Sequence, residues 1–280
     1  MLRNNIPVSV IVVTKNEGSR LARCLKALSA FDEVVVVDSS SEDETCGIAE
    51  KMGARVVEYM WDGAYPKKRQ WCLDHLSLTY DWVFFVDADE IITPNVAGEI
   101  AAIFDGAEPV EAGFFVRSHY VWRKKLLRYG LLNSKLVLFD RRRVEFPVID
   151  DLGVDGMGEI EGHYQPVFKG KNAARSIGVL NAKTLHDAGD DMDDWVARHL
   201  RYAQWEAAMN ARQAWPSDPV VWRECLKRIF RAIPLRNVAA FLHCYVLKCG
   251  FLDGYSGFDF ARSRGRYYRM ISVAAKTNID

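Results

Sequence analysis

The chain has 280 residues, of which 49% are hydrophobic and 26% are charged, and its formal net charge is zero. This composition is typical of a globular protein with a sizeable core and excludes an intrinsically disordered chain. The charge is unevenly distributed, because 14 Lys and Arg stand against 9 Asp and Glu from Asp191 onward, and 23 against 28 before it. The basic C-terminal part suggests an anionic surface or partner.

The cysteines and the apolar runs indicate where the chain is located. Its six cysteines form no CxxC pair and show no regular spacing, so a reducing compartment fits better than a disulfide framework. No run reaches the roughly 20 apolar residues of a membrane span, and residues 1–7 contain no apolar signal region. We therefore expect a cytoplasmic protein, at the inner face of the cytoplasmic membrane.

The first part of the chain alternates strand patterns with helix patterns. Residues 8–13 are a continuous apolar run, which is typical of a strand buried on both faces of a parallel sheet. After a polar loop at 14–18, apolar residues recur at helical spacing. A second apolar run ends on Asp38, and Ser41 with Glu44 predicts a capping box that opens the second helix.

The alternation continues to a strand that ends on paired acids. Residues 55–59 predict a third short strand, and Pro66 suits the first turn of the helix after it. The apolar run 82–86 leads directly to Asp87, and Thr93 begins a further helix. Because strands that alternate with helices form parallel sheets, we expect the polar loops after these strands to meet at one sheet edge.

The second half of the chain has a different pattern. Residues 113–117 and 135–140 are β-like pieces, which we assign to a mixed second half of the same sheet. The chain becomes helical from Asp191, and three prolines divide this tail into separate helices, namely Pro216, Pro219 and Pro234. We predict an α/β fold with a mostly parallel, mixed sheet flanked by helices at 1–190, followed by a helical C-terminal extension at 191–280.

The motif with the most specific chemistry is the sequence Asp-Ala-Asp-Glu at 87–90. It places two carboxylates, Asp87 and Asp89, at the carboxyl edge of the sheet, where open α/β folds bind ligands. Hard divalent cations prefer oxygen ligands, and a metal with few protein ligands keeps positions for a diphosphate. The alternative is a polar loop that only caps the strand, since Asp-x-Asp alone is a short motif.

Three motifs in this order and spacing resemble the family 2 glycosyltransferases. They are Val-Ser-Val-Ile-Val-Val-Thr-Lys-Asn-Glu at 8–17, Val-Val-Val-Val-Asp-Ser-Ser-Ser-Glu-Asp-Glu-Thr at 34–45 and Phe-Val-Asp-Ala-Asp-Glu at 85–90. Three further segments are similar to the branch with lipopolysaccharide core glucosyltransferases, at 65–70, 195–207 and 250–254. The resemblance implies a GT-A fold, a nucleotide-diphosphate sugar donor, Mg²⁺ or Mn²⁺ as cofactor, and inversion at the anomeric carbon.

The resemblance also implies roles for the side chains at the sheet edge. Asp87 would contact the ribose or a metal-bound water, and Asp89 would ligate the metal directly. Thr14, Asn16 and Glu17 occupy the loop that borders the nucleoside in the family. Each of these roles is an expectation that follows from matching positions in the motifs.

Three further positions have both a functional explanation, implied by the resemblance, and a simpler structural one. Asp38 matches the acid that hydrogen-bonds the base, although it is also suited to cap the next helix. The basic cluster 67–69 is of a kind that usually faces solvent, but the resemblance implies a contact with base or diphosphate, for which we choose Arg69 because its planar group suits phosphate. His186 follows segment 176–185, which would return it below the metal as a ligand; a structural histidine is the alternative.

An inverting transfer also needs a carboxylate base on the acceptor side. Residues 150–164 are rich in acids and glycines and are suited to form a loop there. Glu161 and Glu159 are the candidates, and in a strand both would point to one face because they alternate. This pattern departs from the simpler Glu-Asp pattern of many relatives, so the choice between the two stays open.

The tail predicts contact with a membrane. Between residues 220 and 276, 11 Lys and Arg stand against three Asp and Glu, with aromatic residues interleaved. Basic amphipathic helices with aromatic residues lie in the headgroup zone of anionic bilayers, which would suit a lipid-linked acceptor. The alternative is a helical subdomain packed on the catalytic core, with its arginines in solvent.

The sequence therefore predicts an enzyme that moves a hexose from a UDP-sugar to a lipopolysaccharide core or another lipid-linked glycan. The alternatives are a non-catalytic sugar-nucleotide-binding protein and a transferase that acts on a soluble or protein acceptor. Arg and aromatic residues in the tail would also suit nucleic acid, but the zero net charge and the acidic first part argue against it, so no nucleic-acid partner is expected.

Overall fold

The computed structural model describes residues 5–154, 157, 164–170, 176–189 and 191–277. Its strands are β1 (Ile6–Thr14), β2 (Phe31–Asp38), β3 (Arg55–Glu58), β4 (Trp82–Asp87), β5 (Glu90–Ile91), β6 (Gly113–Trp122), β7 (Lys125–Leu126), β8 (Asn133–Asp140), β9 (Val144–Glu145), β10 (Val167–Phe168) and β11 (Ile177–Asp187). Among these residues, nine strands form one sheet in the order β3-β2-β1-β4-β8-β6-β11-β5, with β7 beside β6, and β9 pairs with β10.

The helices alternate with the strands in the first half and follow one another in the second. They are α1 (Gly18–Ala27), α2 (Thr45–Lys51), α3 (Lys68–His75), α4 (Pro94–Ile103), α5 (Met192–Arg212), α6 (Val221–Ala232), α7 (Arg236–Leu242) and α8 (Gly254–Thr277). Helix α7 continues as a π-helical turn (His243–Leu247), and a 3₁₀ turn (Gly250–Asp253) precedes α8. The three prolines of the tail lie between helices, as predicted.

The direction of the strands changes in the middle of the sheet. Strands β1, β2, β3 and β4 pair in parallel, since each is reached through a helical crossover. Strand β8 is antiparallel to both β4 and β6, and β6 pairs in parallel with β11. The predicted mostly parallel, mixed α/β sheet flanked by helices is confirmed.

The predicted capping box at the start of α2 is wrong. This helix begins at Thr45, and neither Ser41 nor Glu44 gives it a side-chain cap. The Oγ of Ser41 instead donates to Oδ1 of Asp38 at 2.5 Å. Because a buried carboxylate needs hydrogen-bond donors, Asp38 holds Ser41 in the loop before the helix.

The predicted position of Pro66 in the first turn of α3 is also wrong. Helix α3 begins at Lys68, so Pro66 precedes its first helical residue by two positions. The residue between them, Lys67, keeps an extended backbone, and its side chain reaches away from the helix to Asp151. The helix therefore starts after this long-range contact.

Two apolar cores join the tail to the sheet. The main core contains the buried side chains of β1, β2 and β4 with the apolar face of α1, and α5 adds Trp205 and Met209 to it. A second core places Trp122 at the end of β6 against Trp195 of α5 and Phe260 of α8. No helix in the described part of the chain is long and apolar enough to cross a membrane.

Candidate active site

A cavity of 910 Å³ lies at the carboxyl ends of β1 and β4. Its lining includes the loop after β1, the residues that end β4, and side chains of α5, α6 and α8. Strands β1 and β4 are parallel neighbours, with Val13 beside Asp87, so the polar residues after each strand leave the sheet next to one another. This is the edge at which open α/β sheets bind ligands.

Hydrogen bonds to the segment after β2 fix the loop after β1. The backbone N–H of Asn16 donates to Oγ of Ser41 at 2.7 Å. The side-chain Oδ1 of Asn16 accepts from the N–H of Glu42 at 2.8 Å. Asn16 has a φ of 54°, in the left-handed region that asparagine adopts more readily than most residues. The three residues predicted to border the nucleoside all line the cavity, namely Thr14, Asn16 and Glu17.

Asp38 lies beside this loop but not in the cavity lining. It ends β2, where it pairs in register with Thr14, and only 2% of its surface is exposed. Its carboxylate accepts from both the backbone N–H and the hydroxyl of Ser41. In this structure Asp38 therefore organises the turn after β2.

Two cations hold the carboxylate of Asp87. The Nη2 of Arg69 lies 2.7 Å from one oxygen, and the Nζ of Lys135 lies 2.5 Å from the other. Burial alone would raise the pKa of Asp87, but the charges of Lys135 and Arg69 outweigh it and hold this pKa well below its usual range. Asp87 is therefore a carboxylate anion at neutral pH, and Arg69, the predicted contact of base or diphosphate, lines the same cavity.

Asp89 faces His186, which β11 brings to the same edge. The Nδ1 of His186 is 3.3 Å from Oδ1 of Asp89, and both atoms are buried without a well-directed hydrogen bond in the described part of the chain. Burial opposes both charges, yet their mutual attraction lowers the pKa of Asp89 and raises that of His186. An imidazole nitrogen and a carboxylate oxygen that face each other without a good partner fit a divalent cation.

These two side chains do not form a complete metal site. Within the described residues, no group of three His, Cys, Asp or Glu side chains is placed to hold a metal ion. Lys135 and Arg69 occupy both oxygens of Asp87, the third predicted ligand. A metal bound at Asp89 and His186 would take its other ligands from substrate and water, as Mg²⁺ does in many phosphate sites.

The sequence reasoning missed Lys135. Its Nζ also lies 3.2 Å from Oε1 of Glu90, whose carboxylate is almost fully buried. Burial raises the pKa of Glu90, and Asp87 adds to this effect although Lys135 opposes it. A lone cation at the start of the apolar run 135–140 was a visible signal, but its significance depends on β8 lying beside β4.

The three cations at 67–69 have three different environments. Lys67 is fully buried, and its Nζ lies 2.6 Å from Oδ2 of Asp151. The Nζ of Lys68 approaches the carbonyl oxygen of Thr14 at 3.5 Å and lines the cavity. Arg69 contacts Asp87, so the cluster is not a solvated face.

The tail supplies a cationic wall to the same cavity. Its lining cations come from α5, α6 and α8 and are Arg198, Arg201, Arg223, Lys227 and Arg264. Glu206 of α5 also lines the cavity, but its carboxylate accepts from Arg236 and from the hydroxyl of Tyr267 at 3.0 Å. These two donors make Glu206 a structural acid in this structure. The predicted bases Glu159 and Glu161 lie outside the described residues.

Comparisons with known proteins identify the family of the chain. A sequence model of the family described as "Glycosyl transferase family 2" matches residues 9–158. An uncharacterized glycosyltransferase of Rickettsia bellii is 38% identical over 84% of this chain and 78% of its own length. The lipopolysaccharide core biosynthesis glycosyltransferase LpsC of Rhizobium meliloti is 31% identical over 98% of this chain and 97% of its own. Other Rickettsia relatives match over only 34% of their own length.

A solved structure with a similar fold covers almost the whole chain. The mannosyltransferase PcManGT of Pyrobaculum calidifontis, in complex with GDP-Man and Mn²⁺, superposes with a TM-score of 0.54 over 99% of this chain and 88% of its own, at 16% identity. This likeness confirms the expected GT-A fold, including the C-terminal helices. With the family model and the whole-length relatives, it establishes that the chain belongs to glycosyltransferase family 2.

Proposed function

We propose that this protein is an inverting glycosyltransferase that moves a hexose from a nucleotide-diphosphate sugar, a UDP-sugar, to a lipopolysaccharide core or another lipid-linked glycan. One observation carries the proposal. A single cavity holds the Thr14–Glu17 loop, Asp87 and the facing pair Asp89 and His186, which come from separate segments of the chain. In this proposal residues 1–190 form the nucleotide-sugar-binding catalytic domain, and residues 191–280 form a helical, basic region that contacts the membrane.

Asp89 and His186 are the side chains that would hold Mg²⁺ or Mn²⁺. Such a cation acts as a Lewis acid that neutralises the charge developing on the departing diphosphate. Asp87 would remain ionised beside it, since Arg69 and Lys135 stabilise its negative charge. Its role is to position the ribose or a metal-bound water.

The donor would lie along the sheet edge. Thr14, Asn16 and Glu17 border the nucleoside in this proposal, and Asp38 supports that loop from beneath or contacts the base. Arg69 would exchange part of its contact with Asp87 for the diphosphate, since a guanidinium binds two phosphate oxygens with its planar fork. Lys135, held between Asp87 and Glu90, keeps the acidic cluster from repelling the donor.

Inversion requires a base on the side of the sugar opposite the diphosphate. We keep Glu161 and Glu159 as the candidates, because the structure commits Glu206, an acid of the cavity wall, to Arg236 and Tyr267. The base would take the proton from the acceptor hydroxyl as the new bond forms. Glu161→Gln or Glu159→Gln should abolish turnover while donor binding persists, and full activity in both variants would exclude this assignment.

The similarity to LpsC supports an acceptor of the lipopolysaccharide core class. Such an acceptor is attached to a membrane, so the enzyme would act at the cytoplasmic face of the inner membrane as a peripheral protein. The cationic wall of α5, α6 and α8 supports an acceptor that carries negative charge, because cations that line a cleft attract anionic ligands.

A thermal-shift screen tests the proposal directly. UDP, GDP and their sugars are added with Mn²⁺ to the full chain and to Asp89→Ala, with Asp105→Ala as a matched control because Asp105 is exposed and outside the cavity. We expect one donor to raise the melting temperature of the wild type and of Asp105→Ala by mass action, and not that of Asp89→Ala. Donor binding that requires neither Mn²⁺ nor Asp89 would contradict the proposed role of Asp89 as a metal ligand. Donor binding without hydrolysis or transfer of the sugar would indicate a non-catalytic binding protein.

A further inference from the structure

Helix α6 is turned with its apolar side to the solvent. Trp222, Leu226, Ile229 and Ile233 recur at helical spacing and are 65%, 56%, 54% and 37% exposed, and we call them the outer stripe. None of the residues of α6 is fully buried. A large apolar stripe without cover is unusual for a water-soluble helix and marks an interaction surface.

Another side of the same helix faces the candidate active site. Arg223 and Lys227 line the cavity and bind the buried carboxylate of Asp218 at 3.2 and 2.6 Å. The outer stripe and this part of the cavity wall therefore belong to one helix. Whatever covers the stripe is held next to the acceptor side of the site.

Exposed apolar side chains also follow α6 in the chain. Leu235, Val238, Leu242 and Val246 also recur at helical spacing, and each is at least 46% exposed. The 3₁₀ turn adds Phe251 and Leu252, which are 47% and 53% exposed. Several aromatic residues of the tail do not join this surface, since Tyr267 is buried and Phe230 packs on Tyr268 at 5.0 Å.

A basic groove adjoins the apolar surface. It has a volume of 810 Å³ and is lined by Val238 of α7 and by three arginines of α8, namely Arg262, Arg266 and Arg269. These arginines lie on one face of the helix at positions i, i+4 and i+7, are exposed, and pair with no carboxylate of the described residues. Three cations beside exposed apolar side chains complement an anionic headgroup with its acyl chains.

We propose that the outer stripe, the exposed side of α7 and the arginine groove form one docking surface for an anionic lipid bilayer. Trp222 and its neighbours enter the boundary between headgroups and acyl chains, and the arginine groove binds lipid phosphates. This surface would place the cavity within reach of a membrane-attached acceptor. In that respect the proposal rests on the proposed function and specifies the partner of the same site.

Sedimentation of the full chain with vesicles tests the surface. The vesicles contain phosphatidylethanolamine with phosphatidylglycerol, or phosphatidylcholine alone. Trp222→Ser/Leu226→Ser/Ile229→Ser should lower the partition coefficient on the anionic vesicles about tenfold or more, because three apolar side chains lose their burial in lipid. The matched control Met60→Ser/Val110→Ser/Val148→Ser replaces apolar residues that are 75%, 79% and 75% exposed elsewhere, and should bind like the wild type.

A second set of variants tests the arginine groove. Arg262→Gln/Arg266→Gln/Arg269→Gln should weaken binding to the anionic vesicles, remove most of its salt dependence and leave the weak binding to phosphatidylcholine unchanged. Lys26→Gln/Lys51→Gln/Lys125→Gln removes three exposed charges elsewhere and should have a smaller effect. If both charge variants weaken vesicle binding equally, the binding depends only on the overall charge of the protein. The assignment of the arginine groove to lipid phosphates would then be wrong.

Two measurements separate this proposal from its competitors. If the outer-stripe variant changes the molar mass in light scattering and not vesicle binding, the surface covers a second copy of the chain and the lipid assignment is wrong. Donor binding with Mn²⁺ in the absence of vesicles should be unchanged in all four variants, because none of them alters a residue of the cavity lining. Vesicle binding without donor binding in the wild type would refute the proposed function and leave the docking surface intact.

Discussion

Helices α1 and α6 are both amphipathic, but they present opposite faces to the protein. In α1 the apolar side chains Leu21, Cys24 and Leu25 are buried in the main core, and the polar side faces solvent. In α6 the apolar side chains lie outside, with Trp222 65% exposed. The same periodicity therefore predicts a helix in both places, whereas the chemistry of the neighbouring surface decides which face is covered.

Ion pairs and aromatic contacts hold α6 on the protein, whereas the burial of apolar side chains holds α1. Asp218 binds two cations of α6, and the guanidinium of Arg231 lies 4.1 Å from the centre of the Trp215 ring. Phe230 adds an edge contact to Tyr268. Such contacts are individually weaker than the burial of leucines and depend on pH and salt, which makes the two helices experimentally separable.

The largest effect is expected where the sheet and the tail meet. Asp151 accepts from Lys67 at 2.6 Å, from Nε1 of Trp205 in α5 at 3.0 Å and from the hydroxyl of Tyr65 at 2.9 Å. Asp151→Ala would leave the fully buried ammonium of Lys67 without its counter-charge, so we expect a loss of about 3–5 kcal/mol in the free energy of unfolding. Urea denaturation measures this loss.

The neighbouring acid supplies the control for this prediction. Asp150 is 79% exposed and is 3.5 Å from Arg212, so Asp150→Ala should change the free energy of unfolding by less than about 1 kcal/mol. Similar losses in the two variants would mean that the buried network does not hold α5 on the sheet.

The donor side of the site was predictable because its signals are local. Each strand is an apolar run, and a polar segment begins at its last residue, as at Thr14 of β1 and Asp87 of β4. Parallel crossovers then bring these ends to one edge without further information. The fold and the convergence of Thr14 and Asp87 were accordingly expected from the local pattern, whereas His186 was expected beside Asp89 through the family resemblance, with a structural histidine as the alternative.

Contacts between distant segments were not predictable in this way. Lys67, Lys68 and Arg69 are adjacent cations, and only the approach of Asp151, 84 residues beyond Lys67, makes one of them a buried structural residue. Lys135 acquires its role because β8 lies antiparallel beside β4, which no local pattern encodes. The side that α6 turns to the solvent belongs to the same class, since the sequence left both membrane contact and packing on the catalytic core open for the tail helices.

Truncating one leucine in each helix sharpens the comparison of α1 with α6. Leu21 has no exposed surface, and Leu21→Ala should cost about 2–5 kcal/mol because it removes core contacts and leaves a cavity. Leu226 is 56% exposed, so Leu226→Ala should change the free energy of unfolding by no more than about 0.5 kcal/mol. Urea denaturation of both variants gives the comparison, and a large loss for Leu226→Ala would show that its side chain is covered in the folded protein in solution.

The smallest effect concerns the pH dependence of the attachment of α6. Burial tends to raise the pKa of Asp218, but the hydrogen bond and charge of Lys227 outweigh it, so the folded protein holds this pKa below its usual range. The stabilisation by Asp218 is therefore complete above the pKa of the unfolded chain, about 4, and is lost as the pH falls through the lower folded value. Asp218→Asn should cost about 1.5 kcal/mol at pH 7 and progressively less below pH of about 4.

Leu21→Ala is the control that ties this pH dependence to α6. Its loss arises from apolar contacts without a titrating group, so the difference from the wild type should be the same at pH 7 and at about pH 3.5. Urea denaturation of the wild type and both variants across this range compares the two slopes. If the loss in the free energy of unfolding caused by Asp218→Asn does not change with pH, the negative charge of Asp218 does not hold α6. The variant would then be destabilised by the altered shape of its contacts, which protonation of Asp218 does not reproduce.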